Sequence, residues 1–200
     1  MPKIVDHDER RREVLTAASR VIVRDGIDAA TTRAIAKEAG YSNGVLAHYF
    51  TDKDEILLSA LRQSHQHIRE RLARKVDAAS GLAALRELLL DNLPLDAERT
   101  QETRLEVSFW SRSLASERLA EVQRAEGAEL RSAVRDLLGQ ARAAGELTSE
   151  QSLDDLTEQL LALVDGLSLH LLLYPDRLRR ADLERLLLRF VDQVITDISG

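Results

Sequence analysis

The 200-residue chain has a net charge of −6, no cysteine and a hydrophobic share of 44%. That is enough for a well-cored helical domain with a small module attached, it is too apolar for a disordered chain, and the lack of thiols excludes disulfides and thiolate metal sites. No apolar run reaches the roughly 20 residues that span a bilayer, and charged residues crowd positions 6 to 13, unlike a signal peptide, so the expected setting is the cytoplasm.

Three prolines and nine glycines punctuate the chain. No sustained alternation signals a strand, and the periodicities predict an all-α protein of about nine helices. The first helix is expected from about Asp8 to Arg24, with Val14, Ala18, Val21 and Ile22 inward. Asp6, Asp8, Glu9 and Glu13 crowd its start, where they favour the positive end of the helix dipole. Thr31 to Lys53 then reads as two short helices joined by a tight turn. Thr31 or Thr32 caps the first, since a hydroxyl accepts from an unpaired first-turn amide. Ile35, Ala36 and Ala39 share one face, and Gly40 follows where a left-handed residue is cheapest. Ser42 caps the second helix, whose inner face carries Val45, Leu46 and Phe50. Its outer face carries Asn43, Gly44, Ala47 and His48, with Tyr49 at the border and Lys53 just beyond. Small and hydrogen-bonding side chains of this kind suit a helix that enters a major groove about 12 Å wide. An ordinary helical hairpin with a glycine turn has the same spacing.

Residues 1–60 hold nine Lys/Arg and ten Asp/Glu, so the module is not basic overall. Arg10, Arg11, Arg12, Arg33, Lys37 and Lys53 are the cations expected to reach phosphates, with modest and salt-sensitive affinity. A fourth helix is predicted from about Lys53 to Val76 with Asp52 as its cap, ended by Ser80-Gly81. A fifth carries Leu82, Leu85, Leu88 and Leu89 as far as Asn92-Leu93-Pro94. The sixth spans about Glu98 to Leu114 and contains the single Trp. The seventh, Ser116 to Ala144, is polar on most faces and ends at Gly145. The eighth, Leu153 to Leu173, is apolar on more than one side and stops before Pro175. The ninth, Ala181 to Ile198, shows the clearest stripe: Leu183, Leu186, Leu187, Phe190, Val191, Val194 and Ile198, widened by Leu188 and Ile195. A helix that is apolar nearly all round needs cover on several sides, from one bundle or from a second copy of the chain.

Catalytic motifs are scarce, and the chain is not expected to be an enzyme. The glycines lie apart and form no phosphate loop, and no nucleophile elbow occurs. His65 and His67 stand two apart on a helix, on different faces; with Glu70 they read as solvated surface. No metal site or cofactor is expected. A small-molecule pocket is the better reading of the C-terminal helices, lined by Leu88, Leu105, Phe109, Trp110, Asp165 and His170. Adjacent aromatics lie about 100° apart on a helix, so Phe109 and Trp110 can face core and cavity respectively, or both fill core. Asp165 and His170 place polar groups inside the most apolar helix, where a charge needs a partner such as Arg104, Arg112 or a ligand; His170 reads equally as a satisfied core histidine. Trp110 and Asp165 suit a quaternary ammonium, although one Trp is too few for an aromatic cage.

Read in order, Arg10-Arg11-Arg12, Ala17-Ala18, Asp25-Gly26, Thr31-Thr32, Ile35-Ala36, Ala39-Gly40, Tyr49-Phe50 and Lys53 resemble the opening segment of the TetR family of transcriptional regulators. The chain departs from the family in having Ala47 where a Tyr is usual and Tyr49 where a His is usual. Gly44-Val-Leu-Ala-His-Tyr-Phe50 and Asp165-Gly-Leu…His170 are similar to the betaine-regulator (BetI-type) branch. The resemblance implies a helix-turn-helix DNA-binding domain over residues 1–52 and a ligand-binding and dimerisation domain over 53–200. It further implies a homodimer through the last two helices, a palindromic operator and release by a small-molecule effector, with no membrane partner. The DNA-contacting set is then Thr31, Thr32, Arg33, Ser42, Asn43, Gly44, Val45, His48, Tyr49 and Lys53. The competing expectation is a helical ligand-binding or scaffold dimer without specific DNA binding.

Overall fold

The computed structural model describes residues 7–76 and 79–196. Among these the chain forms nine α-helices and no strand: α1 (His7–Asp25), α2 (Thr32–Ala39), α3 (Asn43–Tyr49), α4 (Lys53–Val76), α5 (Gly81–Asp91), α6 (Ala97–Ser113), α7 (Glu117–Ala143), α8 (Leu153–Leu173) and α9 (Arg180–Thr196). The all-α expectation holds, with helix ends displaced by only a few residues. The readings of Asp6 and Ile198 lie outside the described residues.

The chain divides into two compact units. One comprises Met1–His67 and Arg104–Gln123, the other Ile68–Thr103 and Arg124–Gly200, so α4, α6 and α7 contribute to both. The core of the first unit gathers Val14, Leu15, Ala18, Val21 and Ile22 of α1 with Ile35 and Ala36 of α2, Leu46 of α3 and Ile56, Leu57 and Leu61 of α4. Phe109 of α6 and Leu119 of α7 complete it. These side chains repeat at three- and four-residue steps, which is why each helix buries one stripe. Contrary to the solvated reading, His65 is only 9% exposed, and its Nε2 lies 2.9 Å from Glu106 Oε2. It stands at helical register with Leu58 and Leu61, so α4 carries it inward; His67 and Glu70 are exposed.

The second unit buries Leu85 and Leu89 of α5, Val134 and Leu138 of α7, Leu156, Leu160, Val164 and Leu167 of α8, and Leu183, Leu187, Val191 and Val194 of α9. The α9 stripe is therefore core within the chain itself, with Leu186 and Phe190 half-buried at its edge. Gly81 opens α5 at φ +56°, a conformation side chains resist. A Cβ there would collide with the Glu146 carboxylate, which accepts from the Leu82 amide at 2.9 Å. Among the described residues α8 alone is long and apolar enough to cross a membrane, but its Leu156–Leu160–Val164–Leu167 stripe is core.

An ionic cluster that hydrophobic patterning does not announce lies in this unit. The Asp91 carboxylate is wholly enclosed. It accepts from Arg71 Nε at 3.0 and 3.2 Å and from Lys75 Nζ at 2.6 Å. The remaining Arg71 nitrogens fork onto Glu102, both at 2.7 Å. Glu102 first, then Asp91, hold the Arg71 guanidinium's proton more tightly than usual.

Candidate nucleic-acid interface

The helix pair α2–α3 is fixed by its ends. Thr31 adopts an extended conformation, and its hydroxyl accepts from the Ala34 amide at 3.1 Å. Gly40 takes φ +75°, where a residue without Cβ is the least strained. Its amide donates to Lys37 O, and the Tyr41 amide donates to Ala36 O at 2.9 Å. The two bonds close a Schellman-type end. Two residues later Ser42 caps α3 by accepting from the Val45 amide at 3.3 Å. Asp52 caps α4, accepting from the Glu55 amide at 2.7 Å.

With its ends set, α3 and its C-cap bury Leu46 and Phe50 in the core of the first unit and leave Ser42, Asn43, Gly44, Ala47 and His48 exposed. Val45 and Tyr49 are half-buried, and the Tyr49 ring lies 5.3 Å from the exposed His7 ring. Thr31 and Arg33 are exposed at the start of α2, and Thr32 is half-buried. The largest side chain on the outer face of α3 is an imidazole, so the helix presents donors and acceptors with little bulk.

Internal pairing explains how a module without net positive charge can still present cations. Glu38 of α2 accepts from Arg24 and Arg20 of α1 at 2.9 and 3.2 Å. Glu13 binds the Tyr41 hydroxyl. Asp28 pairs with Arg112 at 2.8 Å, while Asp54 and Asp52 lie 3.9 Å from Arg112 and Arg118. Arg12, Arg33 and Lys37 are exposed and carry no ion pair among the described residues. Lys53 is half-buried, its Nζ 3.4–3.5 Å from the carbonyls of Asp28 and Ile27. Arg11 corrects the sequence reading: instead of being available to phosphates it is bound to Tyr49 O, Glu55 and Ser59.

The residues expected to line an effector pocket fall in different units. Leu105 and Phe109 are core in the first unit, and Leu88 is core in the second. Trp110 is half-buried and donates its indole N–H to Glu106 Oε1 at 3.1 Å, so Glu106 joins Trp110 to His65. Asp165 and His170 correct the expectation of buried charge: both are exposed on α8, with the His170 ring edge-on to Tyr174 at 5.5 Å. The stripe of α8 buries the register of Leu160, Val164 and Leu167 and turns Asp165 outward. Arg112, one suggested partner of Asp165, pairs with Asp28.

Residues 14–60 match the sequence profile of bacterial regulatory proteins of the tetR family, and residues 81–196 match that of the C-terminal region of BetI-type transcriptional repressors. The chain is 32% identical over 200 residues to the HTH-type transcriptional regulator PksA of Bacillus subtilis (strain 168), covering 98% of this chain and 95% of that one. It is 28% identical over 196 residues to the HTH-type transcriptional regulator BetI of Escherichia coli (strain K12), covering 96% and 97%. Among solved structures, a regulator from Saccharomonospora viridis in complex with choline superposes with a TM-score of 0.89 over 94% of this chain and 98% of that one. At 24% identity that likeness concerns the fold.

Proposed function

Because the chain belongs to the TetR family of transcriptional regulators, we propose that it is a ligand-responsive repressor. In this reading a homodimer binds a palindromic operator and is released by a small-molecule effector. The observation that carries the reading is the outer face of α3, where Asn43, Gly44, Ala47 and His48 are exposed on a helix locked at both ends. Residues 1–52, with Lys53 just beyond them, read DNA: Asn43 and His48 lie at base edges, Arg33 and Lys53 at the backbone, and Thr31, Thr32, Ser42, Gly44, Val45 and Tyr49 along the same contact. Residues 53–200 dimerise and bind the effector. Lys53→Ala is expected to weaken binding to every sequence alike and lower the salt slope by about one unit. Titrations across several salt concentrations check this, and an unchanged slope excludes a phosphate contact.

The dimer reading is supported by α8. Beyond its buried stripe it shows Leu169 and Leu172 half-exposed and Leu173 58% exposed, next to a 47% exposed Tyr174. A second copy covering this side would supply the second recognition helix that a two-half-site operator requires. Leu173→Glu leaves the chain's own core untouched and places an unpaired charge in the interface. It is expected to sediment as a monomer at micromolar concentrations where the unaltered chain is a dimer. An unaltered chain that is itself monomeric contradicts the proposal.

An effector shifts the equilibrium between DNA-binding and released states only by its differential affinity for them. Choline, the ligand of the similar Saccharomonospora protein, is the first compound to try, with the emission of Trp110 as the reporter. Run-off transcription from a promoter overlapping a bound fragment tests the regulatory sign. Added protein should lower the transcript and an effector should restore it; a rise on adding protein makes the chain an activator.

A further inference from the structure

We infer that Arg11 is a positioning residue for DNA reading, which sets the orientation of the recognition helix without touching DNA. Its guanidinium is the point where α1, α3 and α4 meet. Nη1 donates to the carbonyl of Tyr49, the last residue of α3, at 2.6 Å. Nη2 donates to Glu55 Oε1 at 3.1 Å and to Ser59 Oγ at 3.2 Å, both on α4. The guanidinium carbon stands 4.3 Å from the centroid of the Phe50 ring, at the residue that ends α3.

Each contact has a distinct effect on α3. The last carbonyls of a helix lack intrahelical partners and carry its negative dipole end, so a cation seated on Tyr49 O fixes that end in direction as well as in charge. The planar fork spends its other arm on α4, which a lysine ammonium cannot do in the same geometry. Glu55 completes the clamp. Its carboxylate also accepts from the Thr51 amide at 2.7 Å and the Thr51 hydroxyl at 2.9 Å, across the turn between α3 and α4. The Thr51 amide first, then the Thr51 hydroxyl and Arg11, hold Glu55 below the ordinary carboxylate range and so ionised. The helix so held has seven residues, too few to keep its own direction. Its exposed face is the one assigned to base contacts, so a small rotation would misplace Asn43 and His48 together. Base contacts carry specificity and phosphate contacts do not; loss of the clamp should therefore lower specific binding selectively.

The inference rests on the operator-binding reading, and Arg11→Lys separates the two. This variant keeps the charge and loses the fork. Binding to an operator recovered with the unaltered chain, and to a scrambled duplex, is measured across salt concentrations, with thermal melting as a check on folding. Arg11→Lys is expected to lose about tenfold in operator affinity, the scale of one charge-assisted hydrogen bond. Scrambled-duplex affinity and salt slope should stay within error. Glu55→Gln should give a similar loss, and the double variant less than the product of the two. In the DNA-free protein, amide exchange over residues 46–50 should quicken in Arg11→Lys while α2 is unchanged. Wild-type operator affinity in Arg11→Lys, or an equal loss on both duplexes, overturns the positioning role. Failure of the unaltered chain to select any operator sinks the operator reading instead, and unchanged exchange at α3 then removes the clamp as well.

Discussion

Asp91→Ala is expected to be the most destabilising single change outside the apolar core, at about 3–5 kcal/mol. The enclosed carboxylate takes hydrogen bonds from Arg71 Nε and Lys75 Nζ, and Arg71 is itself mostly buried, with a side chain 14% exposed. Removing the carboxylate strands a guanidinium that Glu102 satisfies only in part. For a chain of this length the loss corresponds to a fall in melting temperature of roughly 10 °C. Lys75→Ala should cost far less, because that side chain is 39% exposed and can reach water. The exposed Arg86–Asp192 pair supplies the control, since surface pairs contribute about 0–1 kcal/mol. Thermal and urea unfolding of the three variants check the order. An Asp91 variant no worse than an Asp192 variant would mean that the cluster is not a structural tie.

The second large effect concerns DNA. Ala47→Glu is expected to reduce operator affinity by about a thousandfold or more, to the level of non-specific binding. Ala47 is exposed midway along the outer face of α3, so the new carboxylate would enter the groove among the phosphates. The fold should tolerate it, as Glu is a good helix former and surface substitutions usually stay within about 0.5 kcal/mol. Asn43→Ala and His48→Ala should each cost about 1–3 kcal/mol and relax the preferred sequence at their own positions. Fluorescence anisotropy with matched and mismatched duplexes, beside melting curves, measures both. Full affinity in Ala47→Glu would place the DNA on another face.

Features that depend on near neighbours in the chain are legible in the amino-acid sequence: the Thr31 and Ser42 caps, the Gly40 turn, the outward set on α3 and the α9 stripe. Their causes act over three to five residues, so spacing displays them. The roles of Asp91, His65 and Arg11 are not legible in this way, because their partners lie 16 to 48 residues away. Hydrophobic periodicity states which face is buried and does not say which distant ion meets it. A usable signal is nevertheless present. Arg11 stands at helical register with Leu15 and Ala18, His65 with Leu58 and Leu61, and Asp91 with Ala84 and Leu88, all buried. A charged or titratable residue on a buried stripe requires a partner, and such positions merit that reading before a solvated one. Asp165 and His170 mislead in the opposite direction: the leucine content of α8 suggests burial all round, although within the chain only one side of the helix packs.

Sequence-specific DNA binding by a paired helix-turn-helix is put to the test by selecting genomic fragments with the purified chain at two salt concentrations. One enriched motif is expected, with two-fold symmetry and half-sites about one helical turn apart, which sharpens at the higher salt as non-specific contacts weaken. Weak recovery of all fragments alike, vanishing at the higher salt without any shared motif, would contradict it and favour a ligand-binding or scaffold protein built on the same helices.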